Sequence, residues 1–133
     1  MKINQEIKDF FAQVPVMALG TADLNGIPNV SAIASKRIVD DQRLITIDTF
    51  HHKTLDNIKK NPYISIAFWK DSVGYQIKGI AKYHTQGEVF EENKAWILKI
   101  KPQKIVKGVL EITVTDVFCL TPNYQEAGQI CKE

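Results

Sequence analysis

From Val16 to Leu120 the chain is a succession of short stretches rich in Val, Ile and Thr, broken at intervals by turn residues. Such a rhythm leaves little choice but an antiparallel sheet that curls or closes on itself, since short strands bury their apolar faces only against one another. Val16 to Ala22 is the first stretch, and Asp23-Leu24-Asn25-Gly26 follows it. Asn-Gly predicts a hairpin, because both residues tolerate positive φ. The return strand is expected over Pro28 to Ile38. After a turn at Asp40-Asp41-Gln42, a third strand from Arg43 to Asp48 sets Leu44, Thr46 and Asp48 against Ile45 and Ile47, as a half-buried strand does. Tyr63 to Trp69, Val73 to Thr85 and Val106 to Leu120 complete the set, with Gly79 as a bulge or a point of close backbone approach.

Three segments carry helical spacing instead. Ile3, Ile7, Phe10, Phe11 and Val14 recur on one face and stop before Pro15. Lys53 to Lys60 places Leu55 and Ile58 together, ends in cations and is stopped by Asn61-Pro62. Glu88 to Ile100 is the third. The count is about six strands and three short helices, hence a mainly β fold with short helices: a six-stranded antiparallel barrel, closed or nearly so. At 133 residues, without repeat or linker, the span 1–133 is expected to be one domain.

Several function classes drop out early. A net charge of +2 and a pI near 8.5 fall short of the concentrated basic surface of a nucleic-acid binder, so no nucleic-acid partner is expected. Lys2, Glu6, Lys8 and Asp9 interrupt the N-terminal apolar residues, and no apolar run reaches membrane-spanning length, which predicts no membrane association and a cytoplasmic protein. Nucleophile-elbow, Walker A, dinucleotide-fingerprint and zinc-protease motifs are all missing. No metal site is expected either. Ala34 stands where a calcium loop opening at Asp23 would need its closing Glu, and the adjacent His51 and His52 point in different directions. Cys119 and Cys131 lack CxxC spacing and read as ordinary thiols. Lys94, Lys99, Lys101, Lys104 and Lys107 surround Trp96 and Pro102; they read as a solvated helix face, with a nucleic acid or an acidic redox partner as the alternative.

One segment is electrostatically odd. His51-His52-Lys53 crowds cationic groups into the start of a helix, the end at which the helix dipole is already positive. Asp56 in the first turn can offset part of this, leaving Lys53 solvated. Alternatively, the free N–H groups, the Thr54 hydroxyl and the Lys53 ammonium converge on an anion such as phosphate. The residues alone leave both readings open.

Three stretches together resemble a known family: Ala18-Leu19-Gly20-Thr21-Ala22 through Gly26-Ile27-Pro28-Asn29-Val30, then Asp48 to Pro62 with its Lys53-Thr54, Asn57 and Asn61-Pro62, then Gly74-Tyr75-Gln76-Ile77-Lys78-Gly79. In this order they are similar to the pyridoxamine 5'-phosphate oxidase-like, FMN-binding split-barrel family, and most of all to its small single-domain flavoproteins. The resemblance implies a flavin lined by Ser31, Ala32, Ile33, Ala34 and Ser35 together with Asp48 and Thr49, and a phosphate held by Lys53 and Thr54. It also implies a homodimer with FMN at the interface, each site completed by the partner chain.

Full pyridoxamine phosphate oxidases carry further C-terminal substrate-holding residues, whereas this sequence stops at Glu133; oxidase activity on that substrate is therefore not expected. His51-His52 stands where many members have Ser-Arg. The resemblance thus implies an FMN-binding flavoprotein, an oxidoreductase or an electron carrier with a redox partner, in which the cofactor does the chemistry and no catalytic side chain is assigned. The alternatives are a reductase using the deazaflavin F420, or a module that binds flavin, haem or a small effector without turnover.

Overall fold

The computed structural model describes residues 3–123 and 125–131, so both ends of the span 1–133 lie outside the described residues. It opens with helix α1 (Gln5–Gln13), whose start is capped by the Asn4 side chain accepting from Ile7 N–H at 2.9 Å. Val14 ends it in extended conformation ahead of Pro15. Ile7 and Phe11 point inward with Ile3 and Val14. They join Leu19, Leu44, Ile66, Phe68, Ile77 and Leu110 in one core inside the curled sheet, where Phe11 meets Phe68 edge-on at 5.3 Å between ring centres.

The strands are β1 (Met17–Ala22), β2 (Pro28–Ile33), β3 (Lys36–Ile38), β4 (Arg43–Asp48), β5 (Tyr63–Lys70), β6 (Val73–His84) and β7 (Gly108–Cys119), with α2 (Lys53–Lys60) and α3 (Glu88–Ile100) between them. They form a single antiparallel sheet in the order β2-β1-β5-β6-β7-β4-β3. Its two edges, β2 and β3, are consecutive in sequence and separated only by Ala34 and Ser35. The sheet therefore curls into the split barrel expected from the sequence.

The strand count is seven rather than six, and the difference lies in one place. The stretch Pro28 to Ile38 is not one strand. Its first half pairs with β1, Val30 opposite Gly20, and its second half pairs with β4, Arg37 opposite Ile45. A chain that changes partners must break its ladder where it crosses, and it does so at Ala34-Ser35, with Ser35 C=O still accepting from Ile47 N–H at 2.8 Å.

Two smaller differences have equally local causes. Asp23 organises a five-residue hairpin connection by accepting from Asn25 N–H and Ile27 N–H, and only Gly26 takes positive φ, at 81°. Asn25 stays at negative φ, so the turn is not the two-residue type that Asn-Gly suggested. Strand β4 is buried on both faces, not one, because α3 lays Phe90 and Ile97 over Ile45, Ile47 and Val109 as a second apolar cluster.

Gly79 is both a bulge and a close approach. The register of β6 on β7 shifts between Lys78 and Gly79, and a Cβ at Gly79 would lie 2.5 Å from Thr113 C=O and 2.9 Å from the Ile112 side chain. Backbone cannot yield as a flexible side chain does. Gly79→Ala is thus expected to lower unfolding free energy by about 1–3 kcal/mol, readable by urea denaturation.

No helix among the described residues is long and apolar enough to cross a membrane.

Candidate functional site

The break between β2 and β3 opens a cleft of about 350 Å³ on the barrel wall, lined by Ser31, Ala32, Ile33, Ala34, Ser35, Ile47, Thr49, Phe50, His51 and Lys104. Ladder hydrogen bonds are interrupted there. Ala32 and Ala34 are exposed and carry only a methyl group each, so a flat ligand can lie close to the backbone. Of the residues singled out from sequence, Ser31 to Ser35 and Thr49 meet on this wall. Asp48, Lys53 and Thr54 are not on it.

Each of those three has a definite place. Asp48 is fully buried and accepts from His51 N–H at 2.7 Å and from the Tyr83 hydroxyl at 2.5 Å, with Lys107 Nζ at 4.0 Å. Its carboxylate anchors the turn that leaves β4. Burial first, then the neighbouring Asp48 carboxylate, pushes the Tyr83 phenol up, so it stays a neutral donor. Thr54 is also buried: its hydroxyl donates to Ser31 Oγ at 2.9 Å and accepts from Asn29 Nδ2 at 3.0 Å. The hydroxyl is thereby committed to tying α2 onto β2, which leaves the backbone N–H as Thr54's free donor.

Lys53 stands exposed at the first position of α2 and has no hydrogen-bonding or ionic partner among the described residues. The N-cap residue His52 offers no side-chain cap, and the N–H groups of Lys53, Thr54 and Leu55 point out of the helix unpaired, the first intrahelical bond being Asp56 N–H to His52 C=O. Asp56 is exposed and makes no bond to this turn. Asp56 in the first turn offsets the helix dipole only through its charge, and the N–H groups and the Lys53 ammonium at the helix start stay open.

The neighbouring wall was not legible as part of any site. Residues 101–107, joining α3 to β7, run along the cleft and are stitched to it. Lys101 Nζ donates to Ser35 Oγ at 3.2 Å, Thr49 Oγ1 donates to Ile105 C=O at 2.6 Å, and Lys107 bonds through its N–H to Asp48 C=O and through Nζ to His51 C=O at 2.9 and 2.7 Å. These lysines are not a helix face. The helix ends at Ile100, and only Lys94 and Lys99 of that cluster sit on it. Phe50, 82% exposed, and the half-buried His51 were likewise unassigned to the cleft. Burial first, then the charge of Lys107, holds the His51 imidazole below its ordinary pKa against the pull of Asp48, so it is neutral near pH 7.

A larger depression, about 590 Å³, lies between α1 and the C-terminal segment and is lined by Glu6, Tyr75, Cys119, Glu126 and Cys131 among others. Its carboxylates disfavour an anionic cofactor, and burial pushes the Cys131 thiol up to about 11, away from the thiolate that nucleophilic chemistry needs. Among the described residues no group of His, Cys, Asp and Glu could hold a metal ion. The cleft at the strand break is the better candidate.

Comparison with known proteins agrees with this geometry at the level of family and fold. The chain matches the family model for pyridoxamine 5'-phosphate oxidase over residues 3–120. It is 31% identical over 122 residues to an uncharacterized protein of Methanocaldococcus jannaschii, covering 89% of this chain and 81% of that one. Among solved structures, HupZ of Group A Streptococcus superposes with a TM-score of 0.83 at 30% identity, covering 96% of this chain and 98% of that one. An FMN-binding protein of Syntrophomonas wolfei (TM-score 0.74, 16% identity, coverage 87% and 84%) and HutZ, a heme storage protein of Vibrio cholerae (TM-score 0.68, 18% identity, coverage 90% and 95%), share the fold.

Proposed function

Since the chain belongs to the pyridoxamine 5'-phosphate oxidase family, we propose that it binds FMN in the cleft at the β2–β3 break and works as a flavin-dependent oxidoreductase or electron carrier in the cytoplasm. The observation that carries this is the meeting of Ser31 to Ser35 with Thr49 on one wall, beside an uncapped helix start bearing Lys53. The residues present fit the group. Backbone and small side chains along Ala32 to Ala34 would face the isoalloxazine, and Thr49 and His51 would border it. The Lys53 ammonium with the N–H groups of Lys53, Thr54 and Leu55 would hold the phosphate. FMN when bound supplies one- and two-electron transfer. The lining residues include no carboxylate or thiol, so the chain's own part is to bind, orient and partly shield.

The reading includes a homodimer. On the outer face of the sheet, Val30, Gly20, Ser65 and Lys78 form one cross-strand row, and Ala32, Ala18, Ala67 and Gln76 the next. Gly20, Ala18, Ser65 and Ala67 carry little or no side chain there, and Val30 and Tyr63 stand out, 72% and 68% exposed. Ala32 belongs both to this face and to the cleft wall. A second copy seated here would border the bound flavin.

A haem module is the second reading, favoured by one feature: the neutral His51 ring lies on the cleft wall with no hydrogen bond to it among the described residues, which leaves a ring nitrogen free to act as an axial ligand. Titration of the purified protein with FMN, F420 and haemin decides. FMN is expected to give a saturable, red-shifted flavin band and a thermal shift. No band and no shift with FMN, with a Soret change on adding haemin, would sink the flavin reading.

A further inference from the structure

The cleft has two positive ends, and the proposed flavin uses only one of them. At the Ser35 end, Lys104 is half-buried on the cleft wall, and its ammonium has no hydrogen-bonding or ionic partner among the described residues. Lys101 lies beside it and gives one of its three donors to Ser35 Oγ, itself only 5% exposed. Lys36 completes the group, but its donors are directed at the carbonyls of Val14, Pro15 and Ala34, at 2.8, 3.3 and 3.4 Å. Its charge remains in place while its hydrogen bonds are used.

Among the described residues no carboxylate pairs with these lysines; Asp9 shares a surface groove with Lys36 but accepts from Gln5. Burial first, then Lys101, lowers the Lys36 and Lys104 pKa values, and no acidic group raises either. Asp48, buried at the end of β4, is engaged by Tyr83, His51 N–H and Lys107. The Lys104 ammonium, partly covered on the cleft wall, has no counter-charge among the described residues, and an anion in the cleft would supply one. A structural explanation, that Lys101 merely pins the connection to β3, accounts for Lys101 but leaves Lys104 with nothing to do.

We infer that Lys101 and Lys104 form an anion subsite at the Ser35 end of the cleft, which takes the carboxylate or phosphate group of the small molecule that meets the bound flavin. This rests on the flavin reading above. Lys53 then serves the cofactor's own phosphate, and the 101–107 connection selects the substrate or electron donor by its charge. A neutral reactant would gain nothing from this wall.

The test uses FMN-saturated protein at constant ionic strength, titrated separately with inorganic phosphate and acetate and read by the flavin band and by thermal shift. Wild type is expected to bind at least one anion saturably. Which one binds tells a phosphate-bearing from a carboxylate-bearing reactant. Lys101→Ala/Lys104→Ala, and Lys104→Gln, which keeps a polar side chain without the charge, should weaken that binding about tenfold or more while keeping the preference for FMN over riboflavin. Absence of saturable binding in wild type, or equal binding in the variants, overturns the subsite. Loss of the FMN preference in the variants also overturns it, because the lysines would then hold the cofactor's phosphate. Should wild type fail to bind FMN, the flavin reading falls separately, and the same titrations on flavin-free protein decide the subsite.

Discussion

Lys53→Ala is expected to weaken FMN binding by about tenfold to a hundredfold while changing riboflavin affinity by less than about threefold, since a charge-assisted bond to phosphate is worth roughly 1.5–3 kcal/mol. Lys53 is exposed at the start of α2 and has no partner within the described residues, so its removal costs the fold nothing. The contrast between the two flavins isolates the phosphate. They share the isoalloxazine and the ribityl chain, and differ only in the phosphate that Lys53 is proposed to hold. Paired titrations of wild type and variant provide the measurement. Equal losses for both flavins would mean that Lys53 supports the cleft generally, and no loss for either would remove the phosphate from this end.

The second large effect concerns stability. Asp48→Ala leaves two donors, the Tyr83 hydroxyl and His51 N–H, facing a cavity where a carboxylate stood. Each unsatisfied buried group costs about 1–3 kcal/mol, and Lys107 loses its nearest acid besides, so a loss of about 2–4 kcal/mol is expected, or roughly 10 °C in Tm. Asp48→Asn should lose about half as much, because its amide oxygen still accepts from one of the two donors. Urea denaturation of the three proteins checks the order. Its consequence for the site is direct, since Asp48 holds the turn that carries Thr49 and His51 to the cleft wall. A stability change under about 0.5 kcal/mol for Asp48→Ala would show that the turn is held by the neighbouring backbone instead.

How much of this could be read beforehand depended on the range of the interaction concerned. Helices α2 and α3 lie where their spacing put them, Lys53 to Lys60 and Glu88 to Ile100, because Asn61-Pro62 stops one, Lys101-Pro102 follows the other, and apolar side chains recur on one face of each. The bulge at Gly79 was equally legible. The strand break at Ala34-Ser35 was not. Nothing in the stretch from Pro28 to Ile38 marks an interruption, since its apolar and small residues would continue one strand acceptably, and the break exists only because the two halves pair with different neighbours. The burial of β4 on both faces escaped notice for a related reason: a helix that begins forty residues later covers it.

The candidate site divides along the same line. Lys53 at a helix start was visible, being a contradiction between neighbouring residues, and the segment Ser31 to Ser35 was visible through the family likeness. Lys101 and Lys104 were visible only as charge. The approach of Lys101 to Ser35 spans 66 residues, and it is made by the curling of the sheet and the docking of α3, not by any local preference.

The sequence by itself therefore determined the helices, every strand outside the β2–β3 stretch, their order and the positive entrance to α2, because propensity, periodicity and capping act over a few residues. Only the tertiary structure decided that the chain breaks at Ala34-Ser35, that Asp48 and the Thr54 hydroxyl turn inward, and that a lysine-bearing connection walls the cleft. Those outcomes depend on which distant surfaces exclude water together, and burial of that kind is a property of the closed barrel rather than of any stretch within it.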